Sequence, residues 1–152
     1  MSVTSDIELQ RLKRLRDRLR EQPVDLVDAE LQSLLGDGLA AAGQYADAAH
    51  AHAAAADSAR EDTNRTGEAD AAYKQFKDAC ELKQWDTALA ALNRAISIVS
   101  NRFRPVPKHY VMEAILGAGS FGVVLKCRNT ISFDEDGNEL VLAVKSFREA
   151  DL

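Results

Sequence analysis

The 152-residue chain carries a net charge of −5 and a pI near 5.2, with 46% apolar and 28% charged residues, the balance of a chain that can bury a core. An acidic total argues against general affinity for nucleic acid or anionic membrane surfaces, because phosphate-rich partners reward clustered Lys and Arg. No uncharged stretch approaches the length of a membrane span. The two cysteines, Cys80 and Cys127, have no second Cys or His at metal-ligand spacing, which predicts free thiols, no metal site and a reducing, cytoplasmic setting.

Ser5-Asp6-Ile7-Glu8 has capping-box spacing, and Ile7, Leu9, Leu12, Leu15 and Leu19 follow with helical recurrence until Pro23, predicting a helix over 6–21. Its other face holds Arg11, Lys13, Arg14, Arg16, Arg18 and Arg20. Residues 1–22 are the one basic part of the chain, with six bases against four acids. Such a face serves either as a solvated helix surface, the simpler reading, or as a docking helix for an anionic surface.

From Asp28 to Asn101 the chain is rich in alanine and free of proline, with turn signals at Gly43 and from Thr63 to Gly67. The pattern predicts helices over 28–42, 45–60, 68–82 and 86–100. Shifted by 40 residues, Tyr45, Ala48, His52 and Ala55 fall on Trp85, Ala88, Leu92 and Ala95. Small residues at these places let antiparallel helices approach closely, with an aromatic filling the gap at the turn.

In Leu35-Gly36, Gly43-Gln44-Tyr45 and Ala48 the segment resembles tetratricopeptide repeats. It departs from them in its longer period, in Lys83 standing where the first copy has Gly43, and in a proline that comes only at Pro105. A generic small helical bundle, or a three-helix hairpin similar to microtubule-interacting-and-transport domains, fits the same pattern. A repeat array would imply a protein partner held on its concave surface.

Arg102-Phe103-Arg104-Pro105-Val106-Pro107 breaks the helical pattern and predicts a stiff linker over 102–108. The period then becomes that of strands, over 110–116, 123–129 and 140–147. Gly117-Ala118-Gly119-Ser120-Phe121-Gly122 joins the first two. The second connection contains Asp136-Gly137, which suits a turn with positive φ.

A lone G-x-G-x-x-G is a weak signal, but here it joins strand to strand, and Ala143-Val144-Lys145 follows in the next strand. With Leu116 and Val124 added, the segment from Tyr110 to Phe147 resembles the first three strands of a protein-kinase small lobe. The resemblance implies an ATP site. Leu116, Val124 and Ala143 would roof the adenine, and the backbone of Gly117, Ala118, Gly119 and Gly122 would approach the triphosphate. Ser120 would donate to a phosphate, Phe121 would shield it from water, and Lys145 would hold the α- and β-phosphates. Strand alternation puts Val141, Ala143 and Lys145 on one face, with Leu142 and Val144 on the other.

The same resemblance calls for a glutamate from a following helix, an H-R-D-x-x-x-x-N loop and a D-F-G motif for magnesium, and none of these occurs in the 152 residues. Glu149 and Asp151 follow Lys145 too closely to replace them. No catalytic or metal residue is therefore assigned, and the sequence reads as the N-terminal part of a Ser/Thr-type kinase, inactive by itself. It is expected to leave one sheet face uncovered and an edge exposed along Leu140 to Phe147. A helical interaction module with a vestigial or decoy kinase segment is the alternative. The predicted fold class is α+β, with a basic helix (1–22), a helical domain (23–101), the linker (102–108) and a truncated small lobe (109–152).

Overall fold

The computed structural model describes residues 3–21, 29–119 and 122–146. It is an α+β structure, with helices α1 (Val3–Glu21), α2 (Ala29–Ala41), α3 (Tyr45–Glu61), α4 (Arg65–Glu81), α5 (Trp85–Ile98) and α6 (Ser100–Phe103). Strands β1 (Tyr110–Gly119), β2 (Gly122–Phe133) and β3 (Glu139–Ser146) follow. Helix α1 starts before the Ser5 cap that the sequence suggested, since neither Val3 nor Thr4 breaks a helix. Helix α4 also starts early, because Asn64 caps it by accepting from the Gly67 N–H at 3.0 Å, so Gly67 lies in its first turn and not in the loop.

Helices α2 to α5 run as an array in which each packs on the next. Alanines make this possible. Ala55 and Ala56 of α3 are buried against Ala71 of α4, and Ala69 and Ala72 of α4 share a cluster with Ala95 of α5. The three turns between these helices have one backbone conformation, with φ of 78° at Gly43, 58° at Thr63 and 57° at Lys83. In each turn the next residue donates back into the preceding helix, Gln44 to Leu39, Asn64 to Ala59 and Gln84 to Ala79. Lys83 thus adopts the left-handed conformation that its repeat partner Gly43 takes without cost.

The array buries an ionic cluster. His52 of α3 is 2% exposed, with Nδ1 2.5 Å from Asp78 Oδ2 and Nε2 2.9 Å from Asp37 Oδ1. Both ring nitrogens face carboxylate oxygens, so a proton occupies each gap in any fully paired arrangement. Burial pushes the Asp78 carboxyl above its ordinary range, while its bond to His52 pulls it back down. Lys74 bridges Asp37 Oδ2 (3.0 Å) and Ser33 Oγ (2.9 Å) at the rim. Gly36 is required here, since a Cβ at that position would lie 2.4 Å from His52 Nε2. Helix α1 closes the outer end of the array, packing Leu9 and Leu12 against Leu35 and Leu39 and tying Arg16 to Asp47 of α3 at 3.0 Å.

The stiff linker expected over 102–108 is corrected at its start, where Arg102 and Phe103 belong to α6, and the segment folds onto the core. Phe103 is buried with its ring 5.0 Å from that of Tyr73, and Val106 joins the main core. The Arg104 guanidinium collects the carbonyls of Pro107, Lys108 and Tyr110. One hydrophobic core then runs from helices to sheet, uniting Phe76, Ala79, Ala88, Ala91 and Leu92 with Ile115, Val123, Leu125 and Cys127. This corrects in part the expectation of an uncovered sheet face: Val144 packs on that core, while Leu142 remains 37% exposed. The helices that precede the sheet in the chain provide this cover. Phe147, Glu149 and Asp151 lie outside the described residues.

The antiparallel sheet has the order β1-β2-β3. Gly137 has φ 82°, and Asp134 Oδ1 accepts from the N–H groups of Asp136 and Asn138, closing the second hairpin as its Asp-Gly step suggested. Cys80 and Cys127 are free thiols, and Cys80 is pushed up to about 12 by burial. Among the described residues no helix is long and apolar enough to cross a membrane.

Candidate functional site

Alternation along three paired strands gives the sheet two unlike faces. On β2, Val123, Leu125 and Cys127 are buried against α4 and α5, so Val124, Lys126 and Arg128 point away from the helices. Pairing carries this division to β3: Lys145 lies opposite Val124, Ala143 opposite Lys126 and Val141 opposite Arg128. On β1, Ile115 is 4% exposed and belongs to the covered face, whereas Gly117 is paired with Val124 on the open one.

An irregularity between Ile115 and Gly117 breaks the simple alternation of β1. The extra residue keeps Gly117 on the open face beside Leu116, which is 53% exposed, while Ile115 before it and Ala118 after it both face the core. A second irregularity at Glu113 brings its carboxylate over the open face, 3.1 Å from Arg128 Nε and 3.8 Å from Lys126 Nζ. Arg128 also donates to Glu139, and these two carboxylates, Glu139 first, push its guanidinium pKa further up.

The open face therefore has two ends. Lys126, Glu113, Arg128 and Glu139 form an ionic ladder at one. At the other, Gly117, Val124 and Lys145 form a row straight across the sheet, flanked by Leu116 and Ala143. Two strand spacings, about 10 Å, separate the backbones of Gly117 and Lys145. A Cβ added at Gly117 would meet nothing within 4 Å, so the packing of the described residues makes no demand for glycine there.

The glycine segment is less of a loop than its sequence suggests. Ala118 pairs with Val123, and Gly119 with Gly122, so the ladder continues through residues expected to form a flap. Glycine backbone retains its donors and acceptors, and the hairpin uses them. Gly122 adopts φ 115° at the start of β2. Ser120 and Phe121 lie outside the described residues.

Of the candidate residues, Leu116, Gly117, Val124, Ala143 and Lys145 come together on the open face. Ala118 is different, since its side chain packs on the covered core. Sequence reasoning missed the pairing of His52 with Asp37 and Asp78 entirely. Those partners stand 15 and 26 residues away on two other helices, beyond any local pattern. Among the described residues no group of three His, Cys, Asp or Glu side chains could hold a metal ion.

A scan against protein-family models, a search of curated proteins and a search of solved structures each find no match to the chain.

Proposed function

We propose that the open face of β1 to β3 binds the adenine and phosphates of ATP, and that the chain supplies this nucleotide-binding part to a cytoplasmic protein kinase acting on Ser or Thr. The observation that carries the reading is the division of the sheet. The helices occupy the face of Ile115, Val123, Leu125 and Val144, and the residues that resemble a kinase nucleotide site share the other.

The residues fit the ligand. Leu116, Val124 and Ala143 offer an apolar plane wide enough for a purine, with the small Ala143 where a flat ring must lie close. The open space at Gly117 admits a phosphate against backbone, and Lys145, in the same row, brings a cation to it. When bound, ATP supplies the transferable phosphoryl group, and the part these residues play is to hold and orient it. The proton acceptor and the magnesium ligands of a kinase are not assigned to these 152 residues, and no transfer step is attributed to them.

Titration of the isotope-labelled chain with millimolar MgATP, read by amide chemical shifts, tests the proposal. Shifts are expected at Leu116, Gly117, Val124, Ala143 and Lys145, and are expected to vanish in Lys145→Met. Absence of shifts at these five amides, or equal shifts in the variant, overturns it.

A second reading, of the helices as a protein-interaction module of tetratricopeptide-like repeats, is favoured by one observation. The three turns around Gly43, Thr63 and Lys83 repeat a single conformation at even spacing, as a repeat array does. In that reading the strands would be a vestigial or decoy nucleotide segment. The two readings coexist if the array recruits the protein on which the kinase acts.

A further inference from the structure

Strand β3 carries Lys145 and, among the described residues, pairs on one side only, with β2. Its last described residue has a second anchor. Ser146 is 8% exposed, and its hydroxyl donates to the Pro105 carbonyl at 2.8 Å. Pro105 sits between Phe103, whose ring packs tilted against that of Tyr73 in α4, and Val106, buried in the core that α5 shares with the sheet. The bond therefore ties the strand of Lys145 to the helical array through the segment around Pro105.

A second connection reaches the glycine segment from behind. Val123, the residue after Gly122, is 6% exposed, and it packs with Ala118 into the cluster of Phe76, Ala88 and Leu92. Gly117 and Lys145, the two ends of the row across the open face, are thus each held by a neighbour in sequence that is fixed to the helices. Ladder bonds set strand register, but they leave the free side of an edge strand able to fray. The hydroxyl of Ser146 adds a bond from the end of that strand to Pro105.

We propose that Ser146 is a positioning residue: through Pro105 it fixes the strand of Lys145 to the helical array, so that the array sets the spacing between Lys145 and the glycine segment and can regulate nucleotide binding. The proposal rests on the nucleotide reading for its consequence, but not for the restraint itself.

Hydrogen exchange on the complete 152-residue chain tests it, comparing Ser146→Ala with Ser146→Thr, which keeps the hydroxyl. Loss of one buried hydrogen bond is expected to speed exchange of the β3 amides about five-fold while leaving those of α2 and α3 unchanged. The threonine variant is expected to exchange as the parent does. Unchanged β3 exchange in Ser146→Ala overturns the proposal, as does equal acceleration in every element or failure of threonine to restore protection. Labelling of Lys145 by an acyl phosphate of ATP separates the two claims. Labelling that free ATP suppresses, and that slows in Ser146→Ala, supports the regulatory consequence. Absence of labelling in the parent overturns the nucleotide reading, while the exchange result still decides the restraint.

Discussion

Replacing His52 by leucine, the residue at the matching position 92 of the internal repeat, probes the buried cluster most directly. The substitution roughly preserves volume and removes both ring nitrogens. Asp37 keeps Lys74 and is 42% exposed, so water can replace the lost partner there. Asp78 is 5% exposed and loses its one direct ring contact. Breaking a buried charged pair from one side costs about 3–5 kcal/mol. The lower end, about 3 kcal/mol, is expected here, because the Asp78 carboxyl is already shifted toward its neutral form. A loss of that size lowers the melting temperature by roughly 6–12 °C in a chain of this length.

Adding Asp78→Ala removes the stranded carboxylate, so the double variant is expected to be more stable than His52→Leu alone. Urea unfolding followed by helical circular dichroism reads all four members of the cycle. The pH dependence has a definite sign. The folded pKa of Asp78 lies above its unfolded value of 3.8, so its contribution is most favourable below that value and is lost as pH rises through the folded pKa. Without His52, two influences that lower this pKa are gone, so the deficit of His52→Leu is expected to shrink on acidification. Additive single-variant costs, or a deficit that grows on acidification, would refute the assignment.

Thr63→Gly is expected to raise stability by about 1 kcal/mol, because it relieves a β-branched residue held at φ 58°, and thermal unfolding reads the change. Gly117→Val is expected to leave the unfolding midpoint nearly unchanged, since the added Cβ meets nothing within 4 Å and the position is on the open face, while removing the MgATP-induced shifts at Val124 and Lys145. Truncation after Arg104 strips Ile115, Val123 and Leu125 from the shared core, a loss of roughly 5 kcal/mol or more in burial. The truncated chain is therefore expected to lose its cooperative unfolding transition, as calorimetry would report.

Much of the helical half was legible because its signals are local. Alanine at helical spacing with Gly43 between runs marks α2 and α3 closely, and Trp85 marks the start of α5. The start of α4 was not, because Gly67 reads as a breaker until Asn64 is seen capping against its N–H. Strand alternation divided β3 correctly, with Val144 inward and Ala143 and Lys145 outward. The place of Gly117 on the open face depends on an irregularity of pairing with β2, since plain alternation from Ile115 would turn it inward, and nothing in the residues of β1 alone announces it. The cover over Ile115 and Leu125 was illegible for another reason. Leu92 and Phe76 read equally well as interior positions of a separate helical domain, and only their place in three dimensions assigns them to the sheet.

The order of packing has a consequence for how the molecule is made. Helix α2 meets α3, α3 meets α4, α4 meets α5, and the strands pair in sequence, so nearly every structural neighbour is the next segment to leave the ribosome. Little loop-closure entropy separates such neighbours, which favours rapid, stepwise accretion from the N-terminus. The apolar side of α5 is the exception. Leu92 must wait until Leu125 has been synthesised and both hairpin strands have paired, and during that interval the nascent chain presents an uncovered apolar surface to its surroundings.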